Sequence, residues 1–438
     1  MKKYDNYKDS GIEWIGEIPE HWSVKKLKFF ANVVLGKMLT SEDKGDYFLR
    51  KYLRAKNIEW NNPNVEDVKE MWFSPKELIT FRIKKGDLLV SEGGEVGRTC
   101  VWNNDLEECY IQNSVHKVTV AQNGNPHYFL NQFVLFGVLG HFDAIVNKIS
   151  IAHLTKEKLS DISFIFPPFE EQTQIANYLD HKTTQIDTLI AKKEQFISLL
   201  QEERTALINQ AVTKGLDPKV KMKDSGIEWL GEIPEHWEVT RLGFLSSKIG
   251  DGLHGTPNYV DDSDFKFING NNIGDGQISI YEHTKCVSEE EYLSNKKELS
   301  ENSILMSING TIGNLGFYKG EKVMLGKSVA YINIIDYKTL NFTYKYLESE
   351  SCKTYIDNQL SGSTIKNLSL YSINKIPIPF PSFDEQKDIV DYITIKTNEI
   401  NVLITKSQQE IELLKEYKTA LISEVVTGKV DVRDEVLN

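Results

Sequence analysis

The chain has 438 residues, too many for one ordinary hydrophobic core, so two or more domains are expected. Its hydrophobic content of 40% is that of a soluble globular protein; no apolar run approaches the ~18 residues of a membrane helix, and the start MKKYDNYKDSGIEW carries no apolar signal region, so a cytoplasmic location is expected. A net charge of -12 argues against a uniformly basic surface, and the cysteines Cys100, Cys109, Cys286 and Cys352 form no CxxC pair that would indicate a disulfide framework or a zinc site.

In chain order, the first element is KDSGIEWIGEIPEHW at 8–22, which returns as KDSGIEWLGEIPEHW at 223–237, differing only at Ile15 and Leu230. Two tryptophans, a glycine and a proline make it an irregular, aromatic-anchored segment, with Trp14, Trp22, Trp229 and Trp237 as packing anchors. Next come about 140 residues of strand-and-turn pattern. In the first copy, FLRKYLRAKNIEW leads to GDLLVSEGGEVGRTCVW and then YIQNSVHKVTV. In the second, FKFINGNNIGDG leads to SILMSINGTIGNLGFY and then LGKSVAYINI. Short β-branched and aromatic runs broken by glycine turns predict sheet-rich domains. Ile58, Ser91, Gly97 and Ser114 align with Ile273, Ser307, Gly313 and Ser328, while most other positions differ. Gly93-Gly94 and Asn309-Gly310 read as tight turns able to approach a phosphate backbone.

Each copy closes through ISIAHL or STIKNL into FIFPPFEEQ or IPFPSFDEQ. Pro167, Pro168 and Pro381 stop the last strand, and Glu170, Glu171, Asp384 and Glu385 suit the positive end of a helix dipole. The following stretch, Phe169 to Val212, contains no proline or glycine and could form a rod of roughly 65 Å. Ile175, Leu179, Ile186, Leu189, Phe196, Leu200 and Leu207 recur near a spacing of about 3.5, a coiled-coil seam. The stretch returns as Phe383 to Val426 at an offset of about 214, with Ile389, Ile393, Ile400, Leu403, Leu414 and Leu421 in matching places. The natural partner of each rod is its own copy, antiparallel, with Lys182 and Lys396 as polar seam positions that pin the register.

The expected division is a globular domain at 1–163, a long helix at 164–214, a linker at 215–222, a second globular domain at 223–377, a second long helix at 378–428 and a tail at 429–438. The class is α/β (α+β) with a pseudo-two-fold internal repeat. Residues 1–163 hold about 22 basic and 22 acidic side chains, whereas 223–376 hold about 15 and 21. Any face for a polyanion must be local, or completed by a partner.

The doubled SGIEW(I/L)GEIPEHW starts, the GDLLVSEGGEVG and NSILMSINGTIG turns, the GTP at 255–257 and the two P-x-F-(E/D)-EQ helix starts together resemble the specificity subunit of a Type I restriction–modification system. The resemblance covers essentially the whole chain. It implies two target-recognition domains, each reading one half of a split double-stranded DNA site. It also implies helices that bind two methyltransferase subunits, with motor–nuclease (restriction/translocase) subunits as further partners and S-adenosylmethionine on the methyltransferase, not here.

The residues agree with a chain that carries no catalytic kit. Phe166-Pro167-Pro168-Phe169 has Phe where an adenine methyltransferase needs an amide or carboxylate. Gly326-Lys327-Ser328 ends like a phosphate loop, but Glu321 stands at the first glycine. Glu42-Asp43-Lys44 lacks the upstream Asp of a nuclease, and the nine histidines form no HxxxH pair.

DNA affinity needs Lys and Arg on phosphates, and specificity needs hydrogen-bonding side chains at base edges. The candidates are Lys37, Thr40, Ser41, Arg50, Lys51, Arg54, Lys56, Asn57, Gln112, Asn113, Ser114, His116 and Lys117 in the first domain. In the second they are His254, Thr256, Asn269, Asn271, Asn272, Lys327 and Ser328. The 36–57 and 250–272 segments are favoured because they align while differing in chemistry; Asn271-Asn272 also fits plain turn chemistry. Lys148 and Lys366 are further backbone candidates. For the subunit interface the candidates are Phe169, Glu171, Gln172, Phe383, Glu385 and Gln386, residues that equally suit capping and packing the rod. A competing reading is a structural coiled-coil adaptor with protein-binding ends, for which salt-sensitive binding to duplex DNA discriminates.

Arg-rich chemistry favours guanine and Asn-rich chemistry adenine, so the two half-sites are expected to differ, with centres about one helical turn, ~34 Å, apart. Inserting one helical turn into the rods should change the non-specific spacer and leave the bases read unchanged, as mapped by methylation of genomic DNA. An unchanged spacer would refute the ruler.

Overall fold

The computed structural model describes residues 2–13, 15–146, 153–360 and 366–436. Trp14 and Lys148 lie outside them. The chain forms two compact units, Met1–Lys193 with Gln409–Asn438, and Glu194–Gln408. The units do not follow chain order, because each long helix, Phe169–Lys214 and Phe383–Val426, gives one half to each.

The globular part of the first unit is built on a four-stranded antiparallel sheet in the order Ala31–Leu35, Val115–Val120, Leu88–Ser91, Thr99–Val101. Leu88–Ser91 is buried on both faces, which is why it reads as a continuous apolar run instead of an alternating one. The second unit repeats the order with Ser246–Asp251, Val329–Ile334, Ser303–Ser307 and Leu315–Phe317. Each unit adds a parallel pair: Phe48–Leu53 beside Tyr110–Ile111, and Lys266–Ile268 beside Val323–Leu325. The strands flanking that pair differ. Lys69–Phe73 joins the first, while Cys286–Val287 and Tyr259–Val260 join the second. Gly36 and Gly252 sit where the two layers cross. A Cβ on either would fall within 2.3 Å of a backbone carbonyl oxygen, that of Gln112 or Leu325.

Each repeat closes on itself before its long helix begins. Ser23–Lys26 pairs with Ser163–Phe166, and Glu238–Arg241 pairs with Pro377–Phe380. Trp22 and Trp237 are fully buried, as expected of packing anchors. Their indoles donate to the helix-start glutamates: Trp22 Nε1 to Glu171 at 2.9 Å, and Trp237 Nε1 to Glu385 at 3.0 Å. His21 and His236 meet the second carboxylate oxygen at 2.7 and 3.1 Å. In the first unit Tyr4 also donates to Glu171, and burial together with that carboxylate holds its phenol well above the usual range. The adjoining Gln172 and Gln386 are buried. Their amides donate to Pro167 O at 2.8 Å and Pro381 O at 2.9 Å, and Gln172 Oε1 accepts from Asn125 N. These four side chains, expected among the subunit-interface candidates, brace the helix to its own domain, because a buried amide or half-buried carboxylate finds its partners nearby. Only Phe169 and Phe383 of that set remain exposed apolar groups.

The long helices keep strict heptad tracks. Leu179, Ile186, Lys193, Leu200 and Leu207 form one, and Thr183, Ile190, Ile197, Arg204 and Ala211 the other; all are buried or half-buried. The second helix repeats them as Ile393, Ile400, Ser407, Leu414, Leu421 and Thr397, Ile404, Ile411, Lys418, Val425. Leu189, Phe196 and Leu403, expected in the seam, are exposed. Each has an isoleucine directly after it, and a one-residue shift of about 100° decides which of the two faces inward. In the first unit Lys193 pairs with Glu410 and Lys418 with Asp187, so the halves run antiparallel. In the second unit Arg204 donates to Asn401, the repeat-equivalent pair. These pairs take the register role expected of Lys182 and Lys396; Lys396 bonds Glu399 on its own helix, and Lys182 lies over Tyr178.

The amino-terminal segment of the first unit meets the carboxyl-terminal tail. Asp431 N donates to Lys2 O, Tyr7 Oη donates to Gly428 O, and Arg433 lies 4.7 Å over the Tyr4 ring.

Replacing Glu171 by Ala leaves the buried Trp22 indole without an acceptor and should lower stability by about 2–3 kcal/mol. Glu385→Ala should do the same, whereas Glu170→Ala, which alters only the helix dipole, should cost under about 1 kcal/mol. Denaturant unfolding checks the contrast, and equal effects would refute the bracing role.

Candidate nucleic-acid interface

Four segments of the first unit converge at one end of its sheets. Lys37 N donates to Ile111 O, Asn113 N to Lys37 O and Gln112 N to Leu53 O. Ala55 N donates to Ser114 Oγ at 2.9 Å, and Glu92 N to Ser114 O. The second unit reproduces four of these five links: Leu253 N to Leu325 O, Gly326 N to Ile268 O, Gly270 N to Ser328 Oγ at 2.9 Å, and Ile308 N to Ser328 O. Segments 36–41, 53–57, 92–95 and 112–114, and their counterparts 252–256, 268–272, 308–311 and 326–328, thus form one rim built twice.

Several candidates are framework and not surface. Asn57 and Asn272 are buried at the end of equivalent short 3-10 turns, Ala55–Asn57 and Gly270–Asn272. Each accepts from the backbone before its turn, Arg54 N or Asn269 N, and donates to a carbonyl, Asn64 O or Ser279 O, both at 2.9 Å. His116 is fully buried against Leu154 O, and Lys117 is buried with its ammonium on Thr80 O and Arg82 O. Both lie on the buried first four residues of Val115–Val120, a central strand paired on both edges. Ser114, Gln112, Ser328 and Asn269 are half-buried and bond within the rim: Ser114 Oγ to Gln112 Oε1, Gln112 Nε2 to Asn113 Oδ1, and Ser328 Oγ to Asn269 Oδ1.

The basic candidates of the first rim are largely matched internally. Lys37 is buried on Glu77 at 2.6 Å, Arg50 meets Glu108 at 3.1 Å, and Arg54 and Lys56 share Asp67. The Lys56 hydrogen bond and the Arg54 charge hold the Asp67 carboxyl below its usual range. In the second rim His254 meets Asp251 at 2.7 Å. Exposed side chains remain at Ser41, Lys51 and Lys56, and at His254, Thr256, Asn271 and Lys327, with Thr40 and Asn113 half-exposed. The rim also gathers side chains that sequence reasoning missed. His153 bonds Glu92 at 3.0 Å, and Asn367 forms an isolated backbone bridge with Asn309, which places the already named candidate Lys366, exposed, beside it. The alignment of Ser91 with Ser307 marked those turns, but nothing local tied them to residues sixty positions on.

Burial pushes the His116 imidazole below its usual range, outweighing its bond to Leu154 O. Its folded pKa is lowered, so the unfolded chain takes the proton first as pH falls. The stability due to neutral His116 is complete above pH ~6.5 and is lost as pH falls below it toward the folded value. His116→Gln should flatten the stability profile between pH ~7 and ~5, measured by urea unfolding; an unchanged slope would refute the assignment.

Among the described residues, no group of His, Cys, Asp and Glu could hold a metal ion, and no helix is long and apolar enough to cross a membrane. The family model for the Type I restriction modification DNA specificity domain matches residues 19–198 and again 234–413. The chain is 24% identical to a putative type I restriction enzyme MjaX specificity subunit of Methanocaldococcus jannaschii, over 98% of both chains. It is 28% identical to the EcoBI specificity subunit of Escherichia coli, over 69% of this chain and 65% of that one. Among solved structures, a chain from work on assembly and conformational transition of the type I R-M system superposes with a TM-score of 0.70 at 16% identity, covering 94% and 99%. The HsdS subunit from Thermoanaerobacter tengcongensis gives 0.55 at 15%, covering 94% and 98%. With the frame built twice and the family model matching both copies, the chain belongs to the Type I restriction–modification DNA specificity family.

Proposed function

We infer that this chain is the DNA-recognition subunit of a Type I restriction–modification complex. Each rim reads one half of an asymmetric bipartite target, and the chain itself neither methylates nor cleaves. The observation that carries this is the doubled rim: a repeated backbone frame presents Lys56 and Asn113 in one copy and His254, Thr256, Asn271 and Lys327 in the other. A fixed frame with exchanged side chains is what two readers of different sequences require. A coiled-coil adaptor has no need of it, and the family match does not favour that reading.

The complex would supply what the chain lacks. Two methyltransferase subunits bring S-adenosylmethionine, and restriction subunits bring cleavage. The internal pairing of Arg50, Arg54 and Lys56 keeps the isolated rim weakly cationic, so tight binding needs basic surface from those partners. The test is co-expression with the neighbouring methyltransferase in a methylation-free host, followed by single-molecule mapping of modified adenines. A split motif with two unlike halves is expected; two identical halves, or no motif from a complex that does not bind DNA, would sink the reading.

Within that complex, Lys327→Ala should weaken binding to all sequences alike and reduce the salt slope by about one. Asn271→Ala should cost about 1–3 kcal/mol at one base position and relax the motif there. Asn272→Ala should instead destabilise the second unit and leave the motif intact, since that side chain faces inward. Titrations at several salt concentrations and remapped methylomes check all three.

A further inference from the structure

Outside the long helices, an exposed phenylalanine recurs at the same place in both repeats. Lys26-Leu27-Lys28-Phe29 and Arg241-Leu242-Gly243-Phe244 form equivalent one-turn helices between the domain-closing strand and the main sheet. Leu27 and Leu242 are fully buried, and their backbone N–H groups donate to Ile162 O and Ile376 O, both at 2.9 Å. That anchor throws the ring two residues later outward, leaving Phe29 71% and Phe244 74% exposed. Neighbours within the turn have diverged, Lys28 against Gly243 and Phe30 against Leu245, yet the ring is present in both copies. Folding gains almost nothing from a ring so exposed, so packing does not explain it.

The first ring has a cation against it, and the second repeat keeps basic residues in the neighbouring sequence. Lys28 Nζ lies 5.6 Å from the Phe29 centroid, and Lys26 reaches the same Asp161 as Lys28. In the second copy Arg241 precedes the turn, and Gly243 packs on Asn374, next to Lys375. The turn is not part of the rim. Ala31–Leu35 and Ser246–Asp251 separate the two, about 17–20 Å of strand at ~3.3 Å per residue.

We propose that the cation-Leu-x-Phe turn is a docking point for the methyltransferase subunit, one copy per repeat. The ring enters a shallow apolar pocket on that subunit, and acidic side chains around the pocket meet Lys26 and Arg241. A site written once in each repeat binds two copies of one partner. This rests on the recognition-subunit reading above and assigns part of its partner surface to the domains themselves.

The test uses the full chain with the co-expressed methyltransferase, comparing wild type with Phe29→Ser, Phe244→Ser and the double variant by native mass spectrometry and titration. Thermal unfolding should be unchanged, because neither ring is packed. Each single variant should weaken one of two methyltransferase sites at least tenfold, and the double variant both. A Lys26→Glu variant should weaken the first site alone. Two unaltered sites in the double variant would overturn the proposal while leaving the recognition reading intact. So would variants that lose only DNA affinity or only self-association. A wild-type chain that recruits no methyltransferase would overturn both.

Discussion

One half-buried glutamate in each repeat ties the start segment, the closing strand and the helix together. Glu171 and Glu385 stand in the first turn of the long helices, where the helix dipole favours negative charge. Each accepts the indole N–H of a tryptophan that lies nearly 150 residues earlier, at the start of the same repeat. The start segment, the closing strand and the helix therefore share one junction. Any drift of the helix relative to its domain would leave a buried indole donor and a half-buried carboxylate unpaired, a cost of several kcal/mol. The first turn of each helix is fixed to the domain that precedes it for that reason.

The same economy of partners governs charge. A chain of net charge -12 that must meet a polyanion does not present a bare basic surface. Its first rim holds Arg50, Arg54 and Lys56 against carboxylates of its own domain. These exposed or half-exposed pairs are worth little to stability. Under the proposed function their consequence is for binding: phosphates would have to displace Glu108 and Asp67 to reach the cations, which would suppress indiscriminate association and leave hydrogen-bonding side chains such as Asn113 and Asn271 to discriminate.

The doubling extends to fine detail. Arg204 with Asn401 repeats Lys418 with Asp187, and the two short turns ending in Asn57 and Asn272 carry the same pair of hydrogen bonds. Positions that hold backbone geometry keep their residue type across the repeat, while positions that face solvent at the rim do not. Phe29 and Phe244 lie outside the rim, exposed and alike in both copies, and the proposed docking gives them a use.

Much was decided by sequence alone: the duplication, the proline-delimited helix starts, the sheet-rich class and the pairing of two long amphipathic helices follow from patterns that local physics enforces. Periodicity placed Leu179, Ile186, Leu200, Ile393 and Ile400 correctly, because isolated apolar residues at heptad spacing have only one face to occupy. It could not choose between Leu189 and Ile190, or Phe196 and Ile197, since both members of each pair are apolar and only the partner helix selects the phase. Likewise Asn57 and Lys56 look equally able to meet DNA in a string of letters. Tertiary structure turned one inward to hold a turn and left the other in water. The role of Glu171 was hidden for the same reason: its partner Trp22 is distant in sequence, and only the closed domain brings the indole to the carboxylate.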